Sequence, residues 1–421
     1  MSHQVSDPEA ARHFAVDVVR RLRAAGYEAL WAGGCVRDEL LGRIPADYDV
    51  ATSARPDEVR AVFGHRRTLA VGAAFGVITV LGPKPAGQIE VATFRTDAAY
   101  TDGRHPAGVT FSTAPEDAQR RDFTINGLFL DPVSGEVLDH VGGREDLAAG
   151  VVRAIGVPAM RFGEDHLRML RAVRFAAAFG FALDGETRTA IEKMTHLVAT
   201  VSPERIAAEL RAMVSRPGRR RALELLEETG LAREVLAEVA PAEGDAAGRE
   251  AWRQAAGIVD ALDEPELATA LAALFEQAGP AALRLAAGRL RLSNRELKLA
   301  AWLLDAVAAM GHATGAEHLQ RRPWSEVQPW LAHEDAFLLA DLLRARADGG
   351  LGSSAAAAWV TAQIARPRGE LDPPPLLTGG DLLAAGVPAG PALGDLIARL
   401  RALQLDGAIT TREAALEWVR Q

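Results

Sequence analysis

Past Pro158 the signals that specify a β-strand all but vanish from this chain, and that asymmetry limits what it can fold into. Ahead of that point, short apolar runs at 29–32, 48–51, 69–71, Val77–Leu81 and 89–94 are cut by Gly72, Gly82, Pro83 and Pro85, the punctuation of strands joined by turns. A helical stretch over 8–25, with Phe14, Val18, Val19 and Leu22 in phase, ends at Gly26. Behind that point, segments 164–180, 184–197, 203–214, 219–229, 250–278, 293–310 and 334–347 repeat apolar residues at helical spacing. Gly180, Gly230 and Gly311 are the expected stops, Ser202-Pro203-Glu204 an expected start. Linkers are expected at 241–248 and at the four-proline stretch 366–375. The pattern predicts a small α/β or α+β head over about the first 140 residues and a long helical body behind it.

Composition narrows the class. At 421 residues and 48% hydrophobic, the chain can bury the cores of two or three domains. Cys35 is the only cysteine, so an intrachain disulfide and a Cys-ligated zinc site are excluded. The opening MSHQVSDPEAARHF does not read as a signal peptide, and no run of about 18 apolar residues would span a membrane. The cytoplasm is the expected compartment. A net charge of −9 argues against nucleic acid on average, but binding needs only a local basic surface. Arginines cluster at 66–67, 120–121 and 219–221.

Four constellations carry chemistry. Gly33-Gly34-Cys35-Val36-Arg37-Asp38 joins a strand to a helix. Glycines there let backbone N–H groups approach a phosphate, with Arg37 as a further donor, or they simply make a tight turn. Asp47-Tyr48-Asp49 follows one short helix later. Alternate residues on a strand share a face, so the two carboxylates converge. They repel unless a cation or proton neutralises them, which suits Mg²⁺ shared with substrate phosphates; a polar loop is the alternative. Glu90, an acid inside the apolar run IEVATF, is either a third acidic group of this site or an edge residue facing solvent. In Arg120-Arg121-Asp122-Phe123-Thr124-Ile125-Asn126-Gly127, Asp122 can cap a short helix and Arg121 can reach a triphosphate, or the run is an ordinary capped turn. On a helix over 164–175, Asp165, Arg168 and Arg171 lie three apart. An acceptor and a donor placed so can contact the Watson–Crick edges of A and C, or form a surface salt-bridge ladder.

In order, GGCVRD, LLGRIPADYDVATSA, IEVATFR, RRDFTINGL, EDHLRMLRAVRF and SPERIAAELRAM resemble the successive motifs of the class II CCA-adding tRNA nucleotidyltransferase and bacterial poly(A) polymerase family. The run from Leu377 to Asp406 resembles the tail of its CCA-adding members. The resemblance implies an α/β nucleotidyltransferase head over 1–155, a helical neck with a nucleotide-selecting helix over 156–240, a helical body over 241–370 and a helical tail over 371–421. It also implies a two-metal Mg²⁺ site at Asp47 and Asp49, with Glu90 catalytic beside them. Gly33, Gly34, Arg37, Arg121, Asp122 and Asn126 would serve the nucleotide. Asp165 and Arg168 would select CTP and then ATP, supported by Arg171 and Arg174, and tRNA would be the partner. The segment 96–116, with Asp102 and Arg104, resembles the family's flexible loop.

Three departures stand out. Phe75-Gly76-Val77 replaces a frequent His-Gly-Thr, Ala273-Leu274-Phe275-Glu276 lacks the His-Asp pair of relatives with an appended phosphohydrolase, and Gly127 replaces the usual alanine. No phosphohydrolase activity is expected, and the Gly127 change is expected to be harmless. A poly(A) polymerase, a CC- or A-adding specialist and a non-catalytic RNA-binding relative are the alternatives.

Overall fold

The computed structural model describes residues 7–97 and 108–420. Asp102 and Arg104 lie outside the described residues. The chain divides into two compact units, 1–213 with 221–235, and 214–220 with 236–421.

The first unit opens with α1 (Pro8–Ala24). The Asp7 carboxylate accepts from the backbone N–H of Glu9 and Ala10 at 3.0 and 3.1 Å, and Pro8 fills a first-turn position whose N–H would be unused. Its apolar stripe, Ala11, Ala15, Val18, Val19 and Leu22, is buried and packs on β1 (Ala29–Ala32) and β2 (Asp49–Thr52). Between these strands lies α2 (Gly34–Leu40), and after them α3 (Pro56–Phe63). The sheet is completed by β3 (Thr68–Leu69), β4 (Val77–Leu81) and β5 (Gln88–Thr93). A separate hairpin pairs β6 (Arg95–Asp97) with β7 (Val109–Phe111). Then come α4 (Ala114–Gln119), the sheet strands β8 (Leu128–Leu130) and β9 (Val137–Asp139), and α5 (Gly143–Ala149). Sheet order is β3-β4-β5-β2-β1-β8-β9, with β2 and β5 parallel and every other neighbouring pair antiparallel. One buried cluster joins Leu30, Ala32, Ala51, Phe94 and Phe129 to Ala114 and Ala118 of α4.

Beyond the sheet, β10 (Val151–Val152) pairs in parallel with β11 (Ala182–Leu183), around α6 (Pro158–Glu164) and α7 (Leu167–Phe179). The unit continues through α8 (Gly185–Met194) and α9 (Pro203–Val214), and α10 (Arg219–Glu228) leads to α11 (Ala232–Val235). The helix expected over 164–180 is α7 and starts three residues late, at Leu167, while Glu164 ends the separate helix α6. Asp165 is extended, with φ −147° and ψ 105°, and its Oδ1 accepts from Leu167 N at 3.1 Å. That side-chain bond to the backbone competes with helical continuation between α6 and α7.

In the second unit the stretch 250–278 is likewise divided, into α12 (Ala246–Ala261) and α13 (Leu267–Phe275). Pro265 disfavours helical backbone before it, and Glu264 sits at φ 40°. The expected linker at 241–248 gives way to helix at Ala246, where Asp245 accepts from Gly248 N. Every residue of α13 is buried, packed by α12, α14 (Gly279–Arg289), α15 (Asn294–Met310) and, after α16 (Ala316–Gln320) and α17 (Trp324–Leu331), α18 (Ala336–Asp348). Arg346 of α18 is almost wholly buried and reaches Glu276 with Nε at 2.7 Å. After α19 (Ser354–Ile364) and α20 (Arg368–Leu371), the helices α21 (Gly379–Ala384), α22 (Pro391–Leu405) and α23 (Arg412–Arg420) close a small core of Leu377, Leu382, Leu400, Ile409 and Ala415. Among the described residues no helix is long and apolar enough to cross a membrane.

Gly127 is tightly enclosed. A Cβ there would lie 2.6 Å from Val141 Cγ2 and 3.2 Å from Ile155 Cδ1, so the space of the usual alanine methyl is already filled. Gly127→Ala is expected to destabilise the head by about 1–3 kcal/mol, read as a lower urea midpoint. An unchanged midpoint would show that Val141 moves aside freely.

Candidate active site

The end of β1 and the start of β2 bring the first two constellations together. The chain leaves Ala32 through Gly33, at φ 75° and ψ −126°, into α2. A Cβ on Gly33 would meet Arg121 Nη1 at 2.8 Å, so both backbone and space require glycine. Gly34 is freer, since its Cβ would make an ordinary 3.7 Å contact with Arg37. Trp31 pairs with Val50 across the ladder, which sets Asp49 beside this turn. Tyr48 is buried with its ring 4.7 Å from Trp31, and its hydroxyl donates to Glu39 Oε1 at 3.0 Å. Asp47 lies in the bend before β2, not in the strand. Glu90 is the Cα partner of Asp49 on parallel β5, exposed but in the middle of the sheet and not at its edge.

These three acids have no hydrogen-bond or ion-pair partner among the described residues. Burial, then the neighbouring charges of Asp47 and Glu90, push the Asp49 carboxyl up to about 7, against the pull of Arg121. No group of three His, Cys, Asp or Glu side chains that could hold a metal occurs among the described residues. Two open carboxylates of hard oxygen donors nevertheless fit a divalent cation that takes its other ligands from water and phosphate.

Arg121 is held in place by a residue that sequence reasoning passed over. Asp117, buried on α4, accepts from Arg121 Nη2 at 2.9 Å, from Arg120 Nε at 2.8 Å and from the backbone N–H of Arg95 at 3.2 Å. Burial alone would raise its pKa, but the two guanidiniums lower it. The i, i+3 and i, i+4 spacing of Asp117 to Arg120 and Arg121 was the available signal.

Asp122 does not cap a helix, since the 3-10 turn at Thr124–Asn126 has no side-chain cap. Its Oδ1 accepts from Asn126 Nδ2 at 3.0 Å and its Oδ2 from Arg171 Nη2 at 2.6 Å and Nε at 2.9 Å. Burial would raise this carboxyl, yet Arg171 and the Asn126 hydrogen bond hold it at about 2. Asn126 in turn accepts from Arg37 Nη1 at 2.6 Å. Arg37 is buried, its Nε and Nη2 bound to Asp38 and its cation 4.5 Å from the Phe179 ring. In this arrangement Arg37 braces Asn126, with three of its nitrogens engaged.

At the break before α7, Asp165 and Arg168 do not pair with each other through their side chains. Asp165 Oδ2 accepts from Arg205 Nη2 at 2.7 Å. Arg168 is buried, donating to Glu164, to Arg161 O at 2.9 Å and to Arg120 O at 3.4 Å. Both keep unused sites, because a carboxylate offers about four acceptor positions and a guanidinium five N–H groups. Arg174 Nε is bound to Glu209 at 2.6 Å. Arg205 and Glu209 lie in the run SPERIAAELRAM, which reads as a helix and a family motif with no role given to either residue. Phe75 is half exposed and offers no polar side chain; its carbonyl accepts from Arg95.

Residues 29–153 match the family described as the poly A polymerase head domain, and 180–243 the family described as a probable RNA and SrmB-binding site of polymerase A. A CCA-adding enzyme of Geobacillus sp. is 44% identical over 218 residues, 52% of this chain and 53% of that protein. One from Bacillus pumilus is 42% identical over 222 residues. The match spans about half the length of these curated relatives. A solved CCA-adding enzyme of Bacillus stearothermophilus, in complex with CTP, superposes with a TM-score of 0.76 and 30% identity over 96% of both chains. The Thermotoga maritima enzyme complexed with tRNA shares the fold, at a TM-score of 0.64 and 20% identity.

Linkage fixes the sign of the Asp49 effect. Its folded pKa of about 7 exceeds the ordinary 3.8, so between those values the folded chain holds a proton that the unfolded chain has released. Stability therefore falls as pH rises through that window. In chelator at pH 8, Asp49→Asn is expected to melt at a higher temperature than the parent, with the gap closing near pH 4. Equal melting temperatures at pH 8 would mean that burial and the neighbouring carboxylates do not raise the Asp49 carboxyl.

Proposed function

This chain belongs to the family of CCA-adding enzymes and bacterial poly(A) polymerases, and from that membership we propose that it rebuilds the 3′-terminal CCA of tRNA from CTP and ATP in the cytoplasm, without a nucleic-acid template. The observation that carries this reading is the trio of unpartnered carboxylates, Asp47, Asp49 and Glu90, beside the Gly33 turn and Arg121. Such a site is costly to fold and suited to a polyphosphate.

In this reaction the tRNA 3′-hydroxyl attacks the α-phosphate in line and pyrophosphate leaves. Mg²⁺ held by Asp47 and Asp49 would supply charge neutralisation at the phosphates and a more acidic attacking hydroxyl. Glu90 adds negative charge beside Asp49, which favours a cation there. Gly33 and Gly34 let the backbone approach the triphosphate, and Arg121 offsets its charge from a position fixed by Asp117. Asp122, Asn126, Arg37 and Arg171 bind one another and set the height of α7. Asp165 then accepts from, and Arg168 donates to, the edge of an incoming C or A. Arg205 and Glu164 keep both groups oriented between substrates. The pairing of Arg174 with Glu209 steadies the same helix.

Sequencing the 3′ ends made on a tRNA that lacks CCA tests the proposal. Addition is expected to stop after CCA. A ladder of adenylates on unstructured RNA with ATP alone would mark a poly(A) polymerase, and products ending at CC or needing a preformed CC would mark a specialist. Asp47→Ala or Asp49→Ala should lower the rate about 10³-fold or more, since a lost charge-stabilising ligand removes several kcal/mol from the transition state.

Base selection has its own test. Arg168→Ala should erode the preference for CTP and ATP over UTP and GTP by about 1–3 kcal/mol, the worth of one good bidentate contact. A single common factor in kcat/KM for all four nucleotides would instead assign Arg168 to bracing the helix.

A further inference from the structure

Asp47 hangs from a stretch of chain with little backbone support. Among the described residues Ile44 to Asp47 make no backbone hydrogen bond, and ladder pairing begins only at Asp49. Asp47 is exposed, and its charge repels that of Asp49. A bend under repulsion and without backbone bonds would let Asp47 swing away, so side chains must keep it in place. Of residues 44–48, Pro45 and Tyr48 are buried, and of these two only Tyr48 carries a directional donor.

Tyr48 is held on two sides. Its hydroxyl donates to Glu39 Oε1 at 3.0 Å, and its ring lies 4.7 Å from that of Trp31. Both holders are themselves tied to α1. Arg12 Nε donates to the same Glu39 oxygen at 3.0 Å, and the Arg12 cation stands 5.3 Å from the Trp31 ring. The contacts close a circuit, from Arg12 to Glu39, Tyr48 and Trp31 and back to Arg12, which joins α1, α2, β1 and the bend. Trp31 is wholly buried, yet its indole Nε1 finds no hydrogen-bond partner among the described residues. A buried N–H without a partner is costly, so what Trp31 contributes here is its ring.

We propose that Tyr48 is a positioning residue: bonded to Glu39 and packed on Trp31, it holds Asp47 beside Asp49 and so presets the cation site before substrate arrives. This rests on the reading of Asp47 and Asp49 as cation ligands. Hydrogen bonds one shell out from a metal ligand fix its orientation, and losing one weakens metal binding about 10- to 100-fold. Tyr48 acts through the backbone of its neighbour and not on the ligand itself, so the lower end of that range is expected.

The test is Mn²⁺ binding to the full-length protein without nucleotide, read from the electron paramagnetic resonance of the free ion. Tyr48→Phe keeps the ring and removes the hydroxyl, and Glu39→Ala removes its acceptor. Each should raise the Mn²⁺ Kd about tenfold. The double variant should raise it no further, because both changes delete the same bond. Glu39→Gln, which loses the charge but keeps an oxygen that accepts from the hydroxyl, should stay near the parent. In turnover, the Mg²⁺ needed for half-maximal nucleotide addition should rise in the first two variants by the same factor. Parental Kd in Tyr48→Phe and Glu39→Ala would overturn the positioning role alone. So would losses that multiply in the double variant, or a Glu39→Gln as weak as Glu39→Ala. A parent that binds no Mn²⁺ would overturn the metal assignment of the proposed function together with it.

Discussion

Asp122 is buried where burial alone would drive its carboxyl to protonate, yet the Arg171 guanidinium and the Asn126 amide hold it ionised, at about 2. The geometry of the first unit depends on that pair. Asp122 follows α4 at once and Arg171 lies in the second turn of α7, so the contact fixes how far α7 can slide or turn against the head. Arg37 extends the restraint to α2 through Asn126. The ring of Phe175 is flanked by the cations of Arg171, Arg174 and Arg37 at 5.3, 4.3 and 5.3 Å, so the same helix is held by its aromatic face as well. Asp165 and Arg168 precede Arg171 by six and three residues. Their distance from Gly33 and Asp49 is thus set in part by the Asp122–Arg171 pair.

Asp49 is the opposite case. It too is pulled from water, but its nearest charged neighbours are Asp47 and Glu90, and the one cation that acts on it is already bound to Asp117. One aspartate is paid for by its surroundings and the other is left in debt, which is what separates a brace from a reactive site. The repulsion among the three acids can be relieved by protons or by bound positive charge. Charge that arrives with the substrate therefore gains more here than at a neutral surface. Arg121 cannot relieve the site by collapsing onto Asp49, because two of its nitrogens are bound to the Asp117 carboxylate.

What the sequence disclosed follows from which constraints are local. The Gly33 turn was legible because a left-handed residue between a strand and a helix is a property of a few adjacent residues. The closeness of Asp47 and Asp49 was legible from two-residue spacing, but not by the strand alternation argued for it, since Asp47 lies in the bend before β2. The mixed sheet followed by helices was legible for the same local reason as the turn. Strands β8 and β9 were not, because three-residue strands carry no period, and their place in the sheet comes from pairing with β1. The late start of α7 was not legible, because the extended backbone of Asp165 and its bond to Leu167 N interrupt a run of good helical phase. The bracing contact of Arg37 was not legible, because motif spacing does not reveal burial. Its partner Asn126 is 89 residues away, and only the folded chain brings the two together. Arg205, 40 residues from Asp165, was invisible in the same way.

Net charge is a poor guide to partners in such a chain, for a reason the ion pairs make plain. An arginine matched by a carboxylate at 3 Å presents little field beyond its own pair, because the two charges cancel within a Debye length. Most arginines here are matched in this way: Arg153 by Asp146 and Asp184, Arg344 by Asp341 and Asp348, Arg412 by Asp381. The acids in turn are consumed by these pairs, so the formal total describes neither sign of the surface. What a polyanion meets is the remainder, the cations with no carboxylate in reach. Such a remainder can attract phosphate on a chain whose total charge is negative, at an affinity that falls with salt as the number of contacts and not as the total charge. The acids of the head show the same rule with the sign reversed: Asp47, Asp49 and Glu90 stay unpaired while most carboxylates around them are matched, so local charge and not the formal total describes what each surface offers.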